Sequence, residues 1–229
     1  MRPLTDAMPK PLLAVRGQPL MQWAMQALQR AGVQDLLINT AWLGEHIPAH
    51  FGAQLDTPGC APMRLHFSDE GRDFGGALET AGGIVRALPR LSDVFWVAAG
   101  DVFAPDFAFD PHALAAFAAS PQLAQLWLVP NPDHNPRGDF GLSPDGLALN
   151  LPADASAPRY TFSTIALYKR AFFEAPWCPI PVGNPRGVKA PLAPMLRQAM
   201  DNGSVRASLY TGRWTDVGTP QRLAELNQE

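Results

Sequence analysis

The stretch Val94 to Ala104 reads V-F-W-V-A-A-G-D-V-F-A. Six apolar residues, Val94 to Ala99, run without a polar break into Gly100 and Asp101. A run with no polar side suits a central strand covered on both faces. The pattern therefore predicts a buried strand with a carboxylate just past its C-terminal end. In open α/β sheets that end is where ligands bind. Aspartate is also a hard oxygen donor of the kind Mg²⁺ takes, and Mg²⁺ commonly arrives bound to phosphates. By itself Asp101 reads equally well as the cap of a turn or helix. The rest of the chain has to decide.

The 229 residues suffice for one large domain with a full core. Hydrophobic residues make up 47% and charged residues 17%, the latter below the usual ~25%, so the chain is globular rather than a solvated tail. A net charge of −3 with no Lys/Arg run argues against nucleic acid or an anionic membrane as the main partner. Cys60 and Cys178 have neither a CxxC nor a Cys/His metal spacing, which predicts two free thiols in a reducing compartment. There is no apolar stretch of transmembrane length and no signal-peptide core, so the expected location is cytoplasmic.

Upstream of the strand, residues 1–18 carry Pro3, Pro9 and Pro11, which predict an extended loop presenting Arg2 and Lys10. Those cations suit either phosphate or solvent. Pro19 to Ala31 has helical spacing and a Gly32 stop. Asp35 to Asn39 and Met63 to Phe67 read as strands, with a helical turn or two between Trp42 and Phe51. Arg72 to Gly83 (R-D-F-G-G-A-L-E-T-A-G-G) reads as a Gly-rich turn opening a helix over Ile84 to Leu88, a generic phosphate or base site. Alternating β and α elements through about residue 120 predict a largely parallel sheet.

Downstream, a helix is expected over Pro111 to Ala119 and a strand over Ala124 to Val129. A polar, turn-rich segment (131–146) encloses Arg137-Gly138-Asp139-Phe140. Tyr160 to Tyr168 reads as a strand with Thr161 and Ser163 on one face and Phe162 and Thr164 on the other. Pro176 to Gly187 reads as a proline-broken loop of a kind that covers sites. A helix over Ala190 to Met200 and a strand over Val205 to Tyr210 follow. Asp216, within W-T-D-V-G-T-P before a last helix, is in isolation an ordinary turn aspartate.

Taken in order, R-P-L-T-D-A-M-P-K-P-L-L-A-V-R-G-Q-P-L, L-E-T-A-G-G-I, A-A-G-D, R-G-D-F, F-S-T-I and W-T-D-V-G-T-P resemble the sugar-1-phosphate nucleotidyltransferase family. The resemblance spans residues 2 to 226 and is closest to short members without an added β-helix domain. It implies a single-domain, Rossmann-like α/β fold with a mixed, mostly parallel sheet. It implies transfer of UMP from UTP to a hexosamine-type sugar 1-phosphate, with Mg²⁺ as cofactor. On matching positions, Lys10 would contact the triphosphate and Asp101 and Asp216 would hold the metal. Lys10 and Asp101 would thus be the catalytic pair. Thr80, Ala81, Gly82, Gly83 and Ala99 would line the nucleotide. Gly138, Asp139, Thr161, Ser163 and Thr164 would face the sugar.

The sequence departs from the family pattern in places. Ala99 stands where the family commonly has Asn, Ala81 replaces a glycine, and Thr164 replaces a glycine after F-S. These bear on base and sugar preference, leaving guanylyl or thymidylyl transfer to another sugar 1-phosphate open. The family's first strand and Gly-rich loop, of the form L-A-A-G-x-G-x-R, would come just before Met1-Arg2-Pro3, and residues 1–229 do not contain them. The expectation is a start assigned one strand and one loop too late, giving a marginally stable chain. A non-catalytic nucleotide-sugar-binding protein is the competing reading.

Overall fold

The structure, a computed structural model, describes residues 1–228. The chain opens with a one-turn helix α1 (Leu4–Ala7), a 3-10 turn at Lys10–Leu12 and a hairpin of β1 (Ala14–Val15) and β2 (Gln18–Pro19). Helix α2 (Leu20–Arg30), strand β3 (Asp35–Thr40), helix α3 (His46–Phe51), strands β4 (Gln54–Leu55) and β5 (Met63–Asp69) and helix α4 (Glu70–Phe74) follow. Then come α5 (Glu79–Ala87), β6 (Val94–Ala98), β7 (Val102–Phe103), α6 (Pro111–Ala119) and β8 (Ala124–Val129). The chain ends with β9 (Phe140–Leu142), β10 (Ala148–Leu149), β11 (Arg159–Lys169), α7 (Leu192–Asp201), β12 (Val205–Leu209), β13 (Thr215–Asp216) and α8 (Pro220–Gln228). No helix among the described residues is long and apolar enough to cross a membrane.

Contacts divide the chain into two compact units. The first gathers Met1–Leu78, Ala99–Pro111 and the stretch from Gly212 onward. It contains the β3-β5-β4 sheet, in which β3 and β5 run parallel, and the antiparallel pair β13-β7. Helix α2 packs its buried face, including Leu20, Met21, Met25 and Leu28, inside this unit. Val15, Leu20, Phe103, Val217 and Leu226 form one buried cluster, with Trp23 edge-on to Phe103 at 5.2 Å. Each such buried side chain stabilises the fold by ~1.5–3 kcal/mol. This cluster ties β7, β13 and α8 together.

The second unit gathers Glu79–Ala98 and His112–Thr211 around the strand order β10-β9-β11-β8-β12, with β6 added alongside β11. Within its core Tyr168, Phe172 and Phe173 are fully buried and in mutual ring contact.

Three expectations need correction. The sheet of the second unit is mixed but mainly antiparallel, with only β12 and β8 pairing in parallel. The long strand β11 pairs antiparallel with β6, β8 and β9, an organisation that β–α alternation in the first half of the chain could not reveal. Val94–Ala98 is a strand, but only Phe95 is buried and its one strand partner among the described residues is β11. Finally, residues 1–18 are not wholly extended, since α1 forms one turn directly after Pro3, where proline's fixed φ suits a helix start.

Candidate functional site

Lys10 lies at the start of the 3-10 turn, between Pro9 in extended conformation and Pro11. Pro11 packs against Gly100: a Cβ at Gly100 would lie 3.3 Å from the proline ring. The glycine of the G-D pair thus leaves room for the P-K-P turn beside the backbone at Gly100 and Asp101. Beside it stands a direct ion pair, Lys10 Nζ to Asp101 Oδ2 at 2.6 Å. Both side chains are half-buried, 29% and 37% exposed, so a polyanion can still reach the ammonium.

Asp216 belongs to the same unit. Its strand β13 pairs antiparallel with β7, placing Asp216 opposite Val102, the neighbour of Asp101. The Val217 amide donates to the Asp101 carbonyl at 2.9 Å. Two aspartates far apart in sequence therefore sit on adjoining backbone, fixed by the Phe103–Val217 cluster beneath. The Asp216 Oδ1 accepts from Arg222 Nη1 at 2.6 Å. No group of three or more His, Cys, Asp or Glu side chains suited to a metal occurs among the described residues. Two carboxylates alone match a hard cation whose remaining positions go to phosphate and water.

The residues expected at the nucleotide lie differently from a turn. Helix α5 already begins at Glu79, so Gly82 and Gly83 are helical and buried, as is Ala81. The Ala81 and Gly82 amides both donate to the Ala190 carbonyl, at 3.0 and 3.1 Å. Thr80 is exposed in the first turn, and Ala99 is half-buried directly after β6. The fully buried Asn184 donates to the Gly82 carbonyl at 3.1 Å, holding the proline-broken loop against α5.

The expected sugar residues converge on β11. Asp139 accepts from the Phe162 amide at 2.8 Å and from Asn135 Nδ2 at 3.3 Å. Thr161 Oγ1 donates to Asn131 Oδ1 at 3.0 Å and accepts from Asn135 Nδ2 at 3.1 Å. Gly138, at φ +62°, has no room for a Cβ, which would fall 2.7 Å from Asn131 Oδ1. Ser163 Oγ donates to the Trp127 carbonyl at 2.6 Å and accepts from the Ile165 amide at 3.1 Å. It bridges a bulge where the β11–β8 register shifts between Phe162 and Ala166. Thr164 sits in that bulge at φ +63°, a strained conformation for a β-branched residue.

Asn131, Asn135, Asn184 and Arg222 escaped the sequence reading. Asparagines in turn-rich segments look like ordinary turn formers, and no local spacing marks Arg222. The N-P-D-H-N-P stretch was the one available hint of the asparagine network.

Residues 1–143 match the Nucleotidyl transferase family, and the chain belongs to the sugar-1-phosphate nucleotidyltransferases within it. It is 41% identical over 232 residues to the N-acetylmuramate alpha-1-phosphate uridylyltransferase of Neisseria meningitidis, covering 98% of this chain and 90% of that protein. It is 30% identical over 247 residues to the Caulobacter vibrioides protein of the same name, covering 98% and 92%. In fold it resembles a Bacillus anthracis structure assigned as a glucose-1-phosphate thymidylyltransferase in complex with a sucrose. That likeness has a TM-score of 0.76 at 17% identity and covers 100% of this chain and 89% of the other.

Proposed function

We propose that this enzyme transfers UMP from UTP to N-acetylmuramate 1-phosphate, giving the UDP-sugar and pyrophosphate in the recycling of cell-wall sugars. The reading is carried by the meeting of Lys10, Asp101 and Asp216 within one unit, in a chain that is 41% identical to a relative named for this reaction. A phosphate oxygen of the sugar 1-phosphate attacks the α-phosphorus of UTP. The new O–P bond forms as the bond to the β-phosphate oxygen breaks, and pyrophosphate leaves with the electron pair. The attacking phosphate is already ionised near neutral pH, so the step needs no general base. The protein's contribution is positioning and charge neutralisation.

Lys10 is the group that meets the triphosphate. Its present partner is one half-exposed carboxylate, and an exposed pair of that kind is weak enough to be exchanged for a phosphate. Asp101 and Asp216 would hold Mg²⁺, which when bound supplies neutralisation of the charge developing on the phosphates. Thr80 to Gly83 and Ala99 would border the base, and Gly138, Asp139 and the Thr161 to Thr164 bulge would face the sugar.

The test is pyrophosphate release across a panel of UTP, dTTP, GTP and CTP with N-acetylmuramate, N-acetylglucosamine, glucose and mannose 1-phosphates. The highest kcat/KM is expected for UTP with N-acetylmuramate 1-phosphate. A higher value for GTP with mannose 1-phosphate, or for dTTP with glucose 1-phosphate, would replace this reading.

A further inference from the structure

Asp216 stands on a strand of two residues, anchored to a neighbour of equal length. So short a ribbon fixes the backbone, while the direction of the carboxylate depends on what its side chain meets. One side chain that holds it comes from α8. Arg222 Nη1 donates both to the Asp216 carbonyl at 3.0 Å and to Oδ1 at 2.6 Å, gripping main chain and side chain of one residue. The arginine is itself fixed. Its amide and its Nε both approach Thr219 Oγ1, at 3.2 and 3.4 Å. Thr219 is thus the N-cap of α8, with Pro220 in the first helical position.

Gly218 completes the arrangement. A Cβ there would lie 2.4 Å from Arg222 Nη2 and 3.1 Å from Cζ, so the guanidinium occupies the place a side chain would take. The far end of α8 is latched as well, since Asn227 accepts from the Arg16 amide at 2.7 Å and donates to the Ala14 carbonyl at 3.1 Å. The grip on Asp216 is therefore carried by a helix fastened at both ends.

We infer that Arg222 is the positioning residue of the metal site: it holds the Asp216 carboxylate in the orientation from which it ligates the divalent cation. The inference rests on the proposed role of Asp216 as a ligand. It assigns the D-V-G-T-P-Q-R segment one purpose, in which Thr219 and Gly218 seat the arginine and the arginine aims the aspartate. Groups that hydrogen-bond a metal-ligating carboxylate usually matter to metal affinity by 10–100-fold.

The experiment is calorimetric titration of the folded protein with α,β-methylene-UTP, with and without Mn²⁺. The ratio of the two dissociation constants is the affinity gained from the metal. Arg222→Met is expected to lower that ratio by ~10–100-fold while leaving metal-free nucleotide binding unchanged. Gly218→Ala keeps the charge but displaces the guanidinium, and it is expected to lower the ratio equally. It also decides the question if Arg222→Met does not fold. A wild-type ratio, or a larger one, in either folded variant overturns the inference. Asp216→Asn separates the two levels: if it too keeps the full ratio, Asp216 is not a ligand and the metal assignment fails as well. If Asp216→Asn loses the ratio and the Arg222 and Gly218 variants do not, only the positioning role falls.

Discussion

Lys10 and Asp101, 91 positions apart, meet in an ion pair of 2.6 Å. Pro11 lies close against Gly100, where a Cβ would come within 3.3 Å of the proline ring and the turn would have to give by a few tenths of an ångström. On the proposed reading, a cation that would meet phosphate and a carboxylate that would hold metal are paired with each other here, and substrate would separate them.

Replacing the lysine tests its half of that pair. Lys10→Met keeps most of the length of the side chain and removes the charge. The expected result is a fall in kcat of ~10²–10³-fold, comparable to the loss of one group stabilising transition-state charge. Because the pair is half-exposed, melting temperature should hardly move. Steady-state kinetics and a thermal melt check both, and a fall in stability with kcat intact would mark the lysine as structural.

Asp139 carries two roles that a single variant can divide. Its carboxylate accepts from the Phe162 amide at 2.8 Å, so Asp139→Ala should destabilise the fold by ~1–3 kcal/mol by leaving that donor unpaired. If it also binds sugar, KM for the sugar 1-phosphate should rise well beyond KM for UTP. Urea denaturation and a two-substrate kinetic grid separate the effects, and parallel changes in both KM values would leave Asp139 only its structural bond.

Thr164 predicts a gain rather than a loss. At φ +63° a β-branched residue costs ~1–2 kcal/mol relative to glycine. Thr164→Gly should raise stability by about that amount, less the ~0.5–1 kcal/mol entropy that glycine loses on folding. If the strain is kept for substrate, KM for the sugar 1-phosphate should rise in the same variant. A lowered melting temperature would show that the bulge is not strained.

Tyr168 offers a test of pH dependence. It is fully buried, its hydroxyl has no hydrogen-bond partner among the described residues, and burial pushes its pKa well above the ordinary tyrosine value. A group whose pKa is raised on folding contributes stability that is present below its unfolded value of ~10 and is lost as pH climbs past it. Tyr168→Phe should therefore hold its stability above about pH 10 where the wild type declines. At neutral pH the variant should be as stable or more so, since it loses an unsatisfied hydroxyl. Denaturation midpoints at pH 7 and 10.5 read this directly, and identical pH profiles would refute it.

Periodicity and capping residues made most elements legible. Leu20–Arg30, Asp35–Thr40, Pro111–Ala119 and Ala124–Val129 all lie close to their expected bounds, because each is an apolar or amphipathic run with a proline or glycine near its ends. Strand direction was not legible. Pairing of β11 with three partners is a long-range event, and nothing local in Arg159–Lys169 encodes it. Helix α5 begins earlier than expected because the Gly82 and Gly83 carried by its sequence are offset by packing of Ala81, Ile84 and Val85 into the core. Lys10, Asp101 and Asp216 were singled out through ordered motifs, whereas the contact of Arg222 with Asp216 needed coordinates, since the aspartate lies on the short strand before the arginine's own helix.

The most direct test is to follow the label in UTP carrying ³²P at the α-position, incubated with N-acetylmuramate 1-phosphate and Mg²⁺. Wild-type protein should move the label into a UDP-sugar and release unlabelled pyrophosphate. Asp101→Asn and Asp216→Asn should each slow that transfer by more than ~100-fold. Transfer at the wild-type rate by either variant, or label appearing as free UMP with no sugar product, would contradict uridylyl transfer at a site built on these two carboxylates.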